Sequence, residues 1–334
     1  MKRGREELIF LAALFVFALS ACGADQQLLQ FRDHAMGTTF LIRVYAEDGK
    51  AAEKASKKVM ERVRALEAIF SDYDGDSEVL RFCHHPPGTR VKLSPELYEV
   101  LTKAQELAEH TDGAFDVTIG TLIHLWRRAD RDQELPDEND LKRAFAQIGR
   151  QHLKLNPDGT GEIAIDQVRV FLGGIAKGYA ADEGLKIMRE AGFPRCIVAA
   201  SGDIAVGDPP PGETGWRIGI TSLNSPDEPD RFVRIANAGV STSGDSQQYL
   251  ELDGERYSHI VDPQTGLGLT HRRSVTVIAP DAMTTDSLAT ALSVLGPNQQ
   301  LLEKYPGSTA RIVDEEAELF LGEFEASFDS ESKP

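Results

Sequence analysis

The chain has 334 residues, 41% of them hydrophobic and 27% charged, and a formal net charge of −17. That length and composition suffice for one large domain or two smaller ones around a substantial core. The charge excludes a protein that grips nucleic acid through surface Lys and Arg, but it allows one small phosphorylated ligand where a metal ion supplies positive charge.

At the N-terminus, Lys2, Arg3 and Arg5 precede an apolar run, "LIFLAALFVFALSA", that ends at Cys22. The run is short for a membrane span, and its basic start makes it read as a secretory signal. "LSAC", Leu19 to Cys22, resembles a bacterial lipobox, in which the cysteine is acylated and becomes the new N-terminus. Acyl chains on Cys22 would hold the protein at a membrane surface by burying methylenes, roughly 0.8 kcal/mol each; an uncleaved anchor is the alternative. The expected boundaries are a lipoprotein signal over 1–22, a tether over 23–30, a folded domain over 31–327 and a disordered tail over 328–334. Only Cys83 and Cys196 remain after Cys22, too few for a disulfide framework. "CHHPP", Cys83 to Pro87, lacks a zinc spacing and reads as a surface loop.

"HAMGTTFLIRVYAED", His34 to Asp48, alternates like a strand. From about Ala51 to Phe70, Val59, Val63, Leu66 and Ile69 fall at helical spacing. Ser94-Pro95 reads as an N-cap with proline at the first helical position, opening a helix that Gly113 closes. A further helix is expected over about Asp140–Ile148, a short hairpin over about Leu153–Ile165, and a helix over Gly174–Gly192. Strands follow in "RCIVAAS", "WRIGIT", "FVRIANAG", "QQYLELDGERYSHIV" and "RSVTVIA". A helix over about Ala282–Leu295 and a last hairpin complete the pattern. Hairpins and helices come in mixed order without strict alternation, which predicts an α+β fold with mixed, largely antiparallel sheets and packed helices.

Four stretches carry chemistry. "LGGIAKGYAAD", Leu172 to Asp182, fits neither a Walker loop nor a dinucleotide fingerprint. It places a glycine pair at a helix N-terminus, where free N–H groups and the helix dipole favour an anion, with Lys177 in the first turn. A tightly packed helix start with a solvated lysine accounts for the same residues. In "AMTTDSLATAL", Ala282 to Leu292, Asp286 and Thr290 share one helix face a turn apart, offering hard oxygens of the kind magnesium takes, or a surface hydrogen bond. "GVSTSGDSQQY", Gly239 to Tyr249, is a turn between strands, dense in hydroxyls, that would suit phosphate or serve as a plain loop. In "SHIVDPQTG", Ser258 to Gly266, His259 stands at a strand end before an Asp-Pro turn, as a general base or a structural histidine.

Taken in order, Met36-Gly37-Thr38, "SDYDGDSE", "GAFDVTIG", "GGIAKGYAAD", "SGDI", "STSGD", "HIVDPQTG" and "TTDSLATAL" closely resemble the ApbE family of flavin transferases. The resemblance spans about His34 to Leu295. It implies an ApbE-like fold with a core related to the T-fold, and an enzyme that splits FAD and attaches FMN to a protein Thr or Ser, releasing AMP. By the same resemblance Met36 and Tyr73 flank FAD, and Ala114, Phe115 and Asp116 line the nucleotide. Lys177 sits near the diphosphate, Ser243 and Gly244 belong to the binding surface, and Ile260 contacts FAD beside His259. Mg2+ falls to Asp286, Thr290 and a backbone oxygen at Gly174. His259, or Asp245, removes the acceptor proton. The implied acceptors are subunits of membrane redox complexes, met by an exported bacterial lipoprotein at the periplasmic face of the inner membrane; no acidic residue follows Cys22 directly. One departure stands out: many family members carry Asp where this chain has Phe171. An FAD pyrophosphatase giving FMN and AMP, and a flavin-binding lipoprotein without catalysis, are the rival readings.

Overall fold

The computed structural model describes residues 26–223, 228–244, 249–252 and 254–329. The first half of the chain runs β1 (Gln27–Ala35), β2 (Thr38–Ala46), α1 (Gly49–Phe70), α2 (Glu78–Cys83), β3 (Val91–Lys92), α3 (Pro95–His110), α4 (Gly120–Asp132), α5 (Glu138–Phe145), β4 (Leu153–Asn156), β5 (Thr160–Ile163) and α6 (Ala176–Glu190). Strands dominate thereafter: β6 (Cys196–Ala200), β7 (Asp203–Val206), β8 (Trp216–Ile220), β9 (Arg231–Ile235), β10 (Ala238–Gly244), β11 (Tyr249–Leu252), β12 (Glu255–Ser258) and β13 (Arg273–Ala279). The helices α7 (Ala282–Leu295) and α8 (Gln299–Glu303) precede β14 (Thr309–Asp314) and β15 (Glu318–Leu321).

Eight strands form one antiparallel sheet in the order β1-β2-β6-β7-β10-β13-β14-β15. The α+β expectation is met. Alternation in β6 explains why both faces are covered: Cys196, Val198 and Ala200 point to the larger core, Ile197 to a second one. Over the first face lie α1, α6 and α7, with Val59, Val63 and Leu66 of α1 and Leu288 and Leu292 of α7 fully buried. Against the second face packs the β8–β9 hairpin, through Trp216, Ile218 and Val233. A satellite cluster of α4, α5 and the β11–β12 hairpin, built on Leu122, Trp126 and Leu250, stands apart from both.

Local signals set the helix starts. Asp48 accepts from the N–H groups of Lys50 and Ala51 at the head of α1, and Ser94 accepts from Leu97 N–H at 3.2 Å ahead of Pro95. Arg62 of α1 reaches Glu183 of α6 through two nitrogens and Glu96 of α3 through a third, which ties three helices together.

Several expected boundaries move. β1 starts at Gln27, inside the stretch read as tether, because the whole strand pairs with β2 and seats Leu29 and Phe31 on the core. At the other end Phe328 and Asp329 belong to the fold, not the tail: Asp329 is buried and accepts from Arg217 Nε at 2.7 Å. Residues 330–334 and 1–25, with Cys22, lie outside the described residues. The hydroxyl-rich stretch read as a turn is strand through Gly244, its Ser241 and Thr242 hydroxyls bonded to Thr285 and Thr276. Of "CHHPP", His84 to Pro87 are exposed on a loop as expected, but Cys83 is the buried last residue of α2.

The closest approach in the helical layer is between α6 and α7. A Cβ on Gly178 would fall on the Ala282 carbonyl and the Met283 Cα. Gly178→Ala should therefore cost about 1–3 kcal/mol by pushing the helices apart. Urea unfolding measures this, and an unchanged midpoint would show that the helices separate freely.

Candidate active site

Between the main core and the satellite cluster opens a cleft of ≈ 1410 Å³. Its lining includes Met36, Tyr73, Ala114, Phe115, Asp116, Gly174, Lys177, Ser243, Gly244, His259, Ile260, Asp286 and Thr290. The fold thus brings together residues up to 254 positions apart, from Met36 to Thr290. Asp245 lies outside the described residues.

The floor is made where α6 meets α7 and the start of β7. Asp286 and Thr290 sit a turn apart on α7, and a Cβ on Gly174 would come within 2.9 Å of Thr290 Oγ1. Asp286 is buried and accepts from Gly178 N–H at 3.1 Å. Lys177, in the first turn of α6, donates to Asp203. Burial opposes the lysine's charge, yet Asp286 and then Asp203 outweigh it and hold its pKa above the ordinary lysine range. Burial lifts the Asp286 carboxyl above the usual carboxylate range, repulsion from Asp203 adds to this, and Lys177 opposes it. Two carboxylates sharing one ammonium leave a deficit of positive charge in a desolvated place. Among the described residues no three His, Cys, Asp or Glu converge as a metal cluster. A hard cation here would draw on the Asp286 carboxylate, the Thr290 hydroxyl and a Gly174 carbonyl, and this donor set suits Mg2+.

Asp203 was not among the expected site residues. It follows the two-residue Ser201-Gly202 turn between β6 and β7, inside the "SGDI" stretch. Helix α7 is fixed from outside as well: Asp281 caps it by accepting from Thr284 N–H at 2.7 Å, and Asp182 of α6 accepts from Ala282 and Met283 N–H, each at 2.9 Å.

The walls are built from turns. Met36 and Gly37 both take positive φ, 52° and 69°, in the two-residue loop joining β1 to β2, the pattern of a type I′ turn. A methionine in that conformation is costly, of order 1 kcal/mol, and Glu67 holds it by accepting from its N–H at 2.7 Å. Asp116 lines the cleft, but its Oδ1 already accepts from Thr118 N–H and Thr118 Oγ1, at 2.8 and 2.7 Å, and burial raises its pKa. His259 directly follows β12 and is exposed at the cleft. The loop after it is anchored by Trp126 of α4, whose Nε1 donates to the Gly266 carbonyl at 2.7 Å. From the same helix Arg127 bonds Asp72 and lies against the rings of Tyr73 and Phe171. Arg127 carried no recognisable motif, and Asp182 ends the "LGGIAKGYAAD" stretch without having been given a role.

The model of the ApbE family matches residues 36–312. A FAD:protein FMN transferase of Salmonella typhimurium is 34% identical over 275 residues, covering 78% of this chain and 77% of that protein. The structure of the flavin transferase ApbE from Vibrio cholerae superposes with a TM-score of 0.82 at 27% identity, covering 90% of this chain and 99% of that one. That of the Pseudomonas stutzeri flavinyl transferase ApbE, in its apo form, gives 0.80 at 30% identity, over 91% and 98%.

Asp182 generates a pH prediction. Burial pushes its carboxyl up to about 7 from an ordinary 3.8, against the two backbone N–H groups that favour its charge. The folded chain then keeps a proton that the unfolded chain has released, so this stabilising contribution is full below about pH 4 and is lost as pH rises through about 7. Asp182→Asn cannot titrate and should flatten the fall in unfolding free energy across that window. Denaturation curves at several pH values provide the check, and parallel profiles for the two proteins would contradict it.

Proposed function

The chain belongs to the ApbE family, and we propose that it is an FAD:protein FMN transferase, moving the FMN phosphoryl group of FAD to a Thr or Ser hydroxyl of an acceptor protein and releasing AMP. The observation that supports this best is the meeting, in one cleft large enough for a dinucleotide, of the Asp286–Thr290–Gly174 oxygens with Lys177 and His259.

The residues divide the work. Lys177 is held rigid by Asp203 and faces the place where a diphosphate would lie, so its charge is positioned before substrate arrives. Mg2+ bound by Asp286, Thr290 and Gly174 would neutralise charge on the diphosphate and ease departure of AMP. Met36 and Tyr73 offer a thioether and an aromatic face to flat rings. His259 takes the proton of the acceptor hydroxyl as its oxygen attacks the FMN phosphorus. The phosphorus–oxygen bond to AMP breaks, and FMN is left as a phosphoester on the acceptor. In the same reading Cys22 carries a lipid, and the enzyme works at the periplasmic face of the inner membrane on subunits of membrane redox complexes. The basic, apolar and lipobox-like order of residues 1–22 supports that placement.

A protein beginning at Asp25, supplied with FAD, Mg2+ and a threonine-bearing acceptor peptide, should yield peptide increased by one FMN in mass spectrometry, with AMP in equal amount. Asp286→Ala should abolish the labelled peptide. Production of AMP and free FMN with the peptide unlabelled would replace transfer by hydrolysis, and intact FAD would refute catalysis altogether. His259→Ala should lower kcat by about 10²- to 10⁴-fold with little change in the KM for FAD. A matching rise in KM would instead make His259 a binding residue. Because the Asp286 carboxyl must be ionised to hold a cation, Mg2+ affinity should rise with pH, and titration calorimetry at two pH values would show it.

A further inference from the structure

Phe171 stands where the family resemblance leads one to expect an aspartate, and the structure shows what surrounds it. Its ring lies directly over Gly173, where a Cβ would collide with it. Above that ring sits the Arg127 guanidinium, 5.4 Å from the ring centroid, and beyond it the Tyr73 ring, 4.1 Å from the same guanidinium. Asp72 accepts from Arg127 Nη1 and fixes the plane of the group. A column of ring, cation and ring thus climbs from the glycine floor of the cleft to its rim.

Tyr73 ends the column with 78% of its surface exposed. A tyrosine so exposed sweeps through its rotamers unless something holds it, and here the guanidinium covers one face. Tyr73 also lines the cleft. Arg127 itself is poorly suited to attract phosphate at a distance, since Asp72 balances its charge and it lies against the Tyr73 and Phe171 rings. What it does well is hold an aromatic side chain in one orientation.

We propose that Arg127 and Phe171 are positioning residues that hold Tyr73 as a fixed platform for a flat heteroaromatic ring of the substrate. The proposal rests on FAD being the substrate; the ring is either its isoalloxazine or its adenine.

The test compares the wild type with Arg127→Met, Arg127→Lys, Phe171→Leu and the Arg127→Met/Phe171→Leu double variant, with FAD binding followed by flavin fluorescence quenching. Each single variant should weaken FAD by about tenfold, with kcat at saturating FAD largely kept. Since the column acts as one unit, the double variant should be no worse than either single one. Arg127→Lys keeps the charge but loses the planar group, so it should weaken binding nearly as much as Arg127→Met. Titrations with riboflavin and with AMP assign the ring: the loss should reappear with one of them. Unchanged FAD affinity, additive losses of about a hundredfold, full rescue by lysine, or a loss reproduced with inorganic pyrophosphate would overturn the platform while FAD remained the substrate. A wild-type protein that binds no FAD would overturn the transferase reading and the platform with it.

Discussion

One ammonium group between two buried carboxylates organises this molecule. Lys177 has its charge sustained by Asp286 and Asp203, and these three side chains come from α6, α7 and β7. Burying charge is expensive unless it is paired, so the three elements are held to one arrangement. The near-contact at Gly178 and the grip of Asp182 on the first N–H groups of α7 enforce the same geometry from the backbone side. The helical layer is therefore not a generic cover for the sheet. It is the frame on which the carboxylate and hydroxyl of α7 are presented to the cleft.

That frame also reconciles a net charge of −17 with a doubly phosphorylated substrate. Asp203, Asp286 and Lys177 together carry one surplus negative charge when all are ionised. In the proposed reading an anionic ligand would enter such a site with a cation beside it, and substrate and ion would bind together. The raised pKa of Asp286 points the same way, because burial first and repulsion from Asp203 second disfavour its ionised form unless positive charge is supplied.

Much of this was legible in the sequence, for identifiable reasons. The helices α1 and α3 could be read because their apolar periodicity or capping residues are local, and Ser94-Pro95 opens α3 as expected, whereas the Asp281 cap of α7 was not among the signals read. The expected site residues came from ordered short motifs, and the described ones line one cleft. What escaped was non-local. Helix α4 begins at a glycine with no side-chain cap and is crowded with charge, and its buried face is defined only by the β11–β12 hairpin and α5. β1 is legible only once β2 is beside it, since alone its alternation is blurred by the exposed Leu28 and by Asp33 in the inward register. Asp203 and Arg127 matter through partners distant in sequence, Lys177 in one case and the Tyr73 and Phe171 rings in the other.

β1 is also the edge strand of the eight-stranded sheet, and it starts five positions after Cys22. Five residues reach at most about 18 Å even when fully stretched. With Cys22 acylated as proposed, the start of β1 would be leashed within about two nanometres of the bilayer. The enzyme would then meet its acceptors by diffusing in two dimensions. The cleft opens at the Met36 end of β1, nine residues and roughly 30 Å beyond the tethered end, so leash and strand together would set the range of heights at which an acceptor hydroxyl could be met.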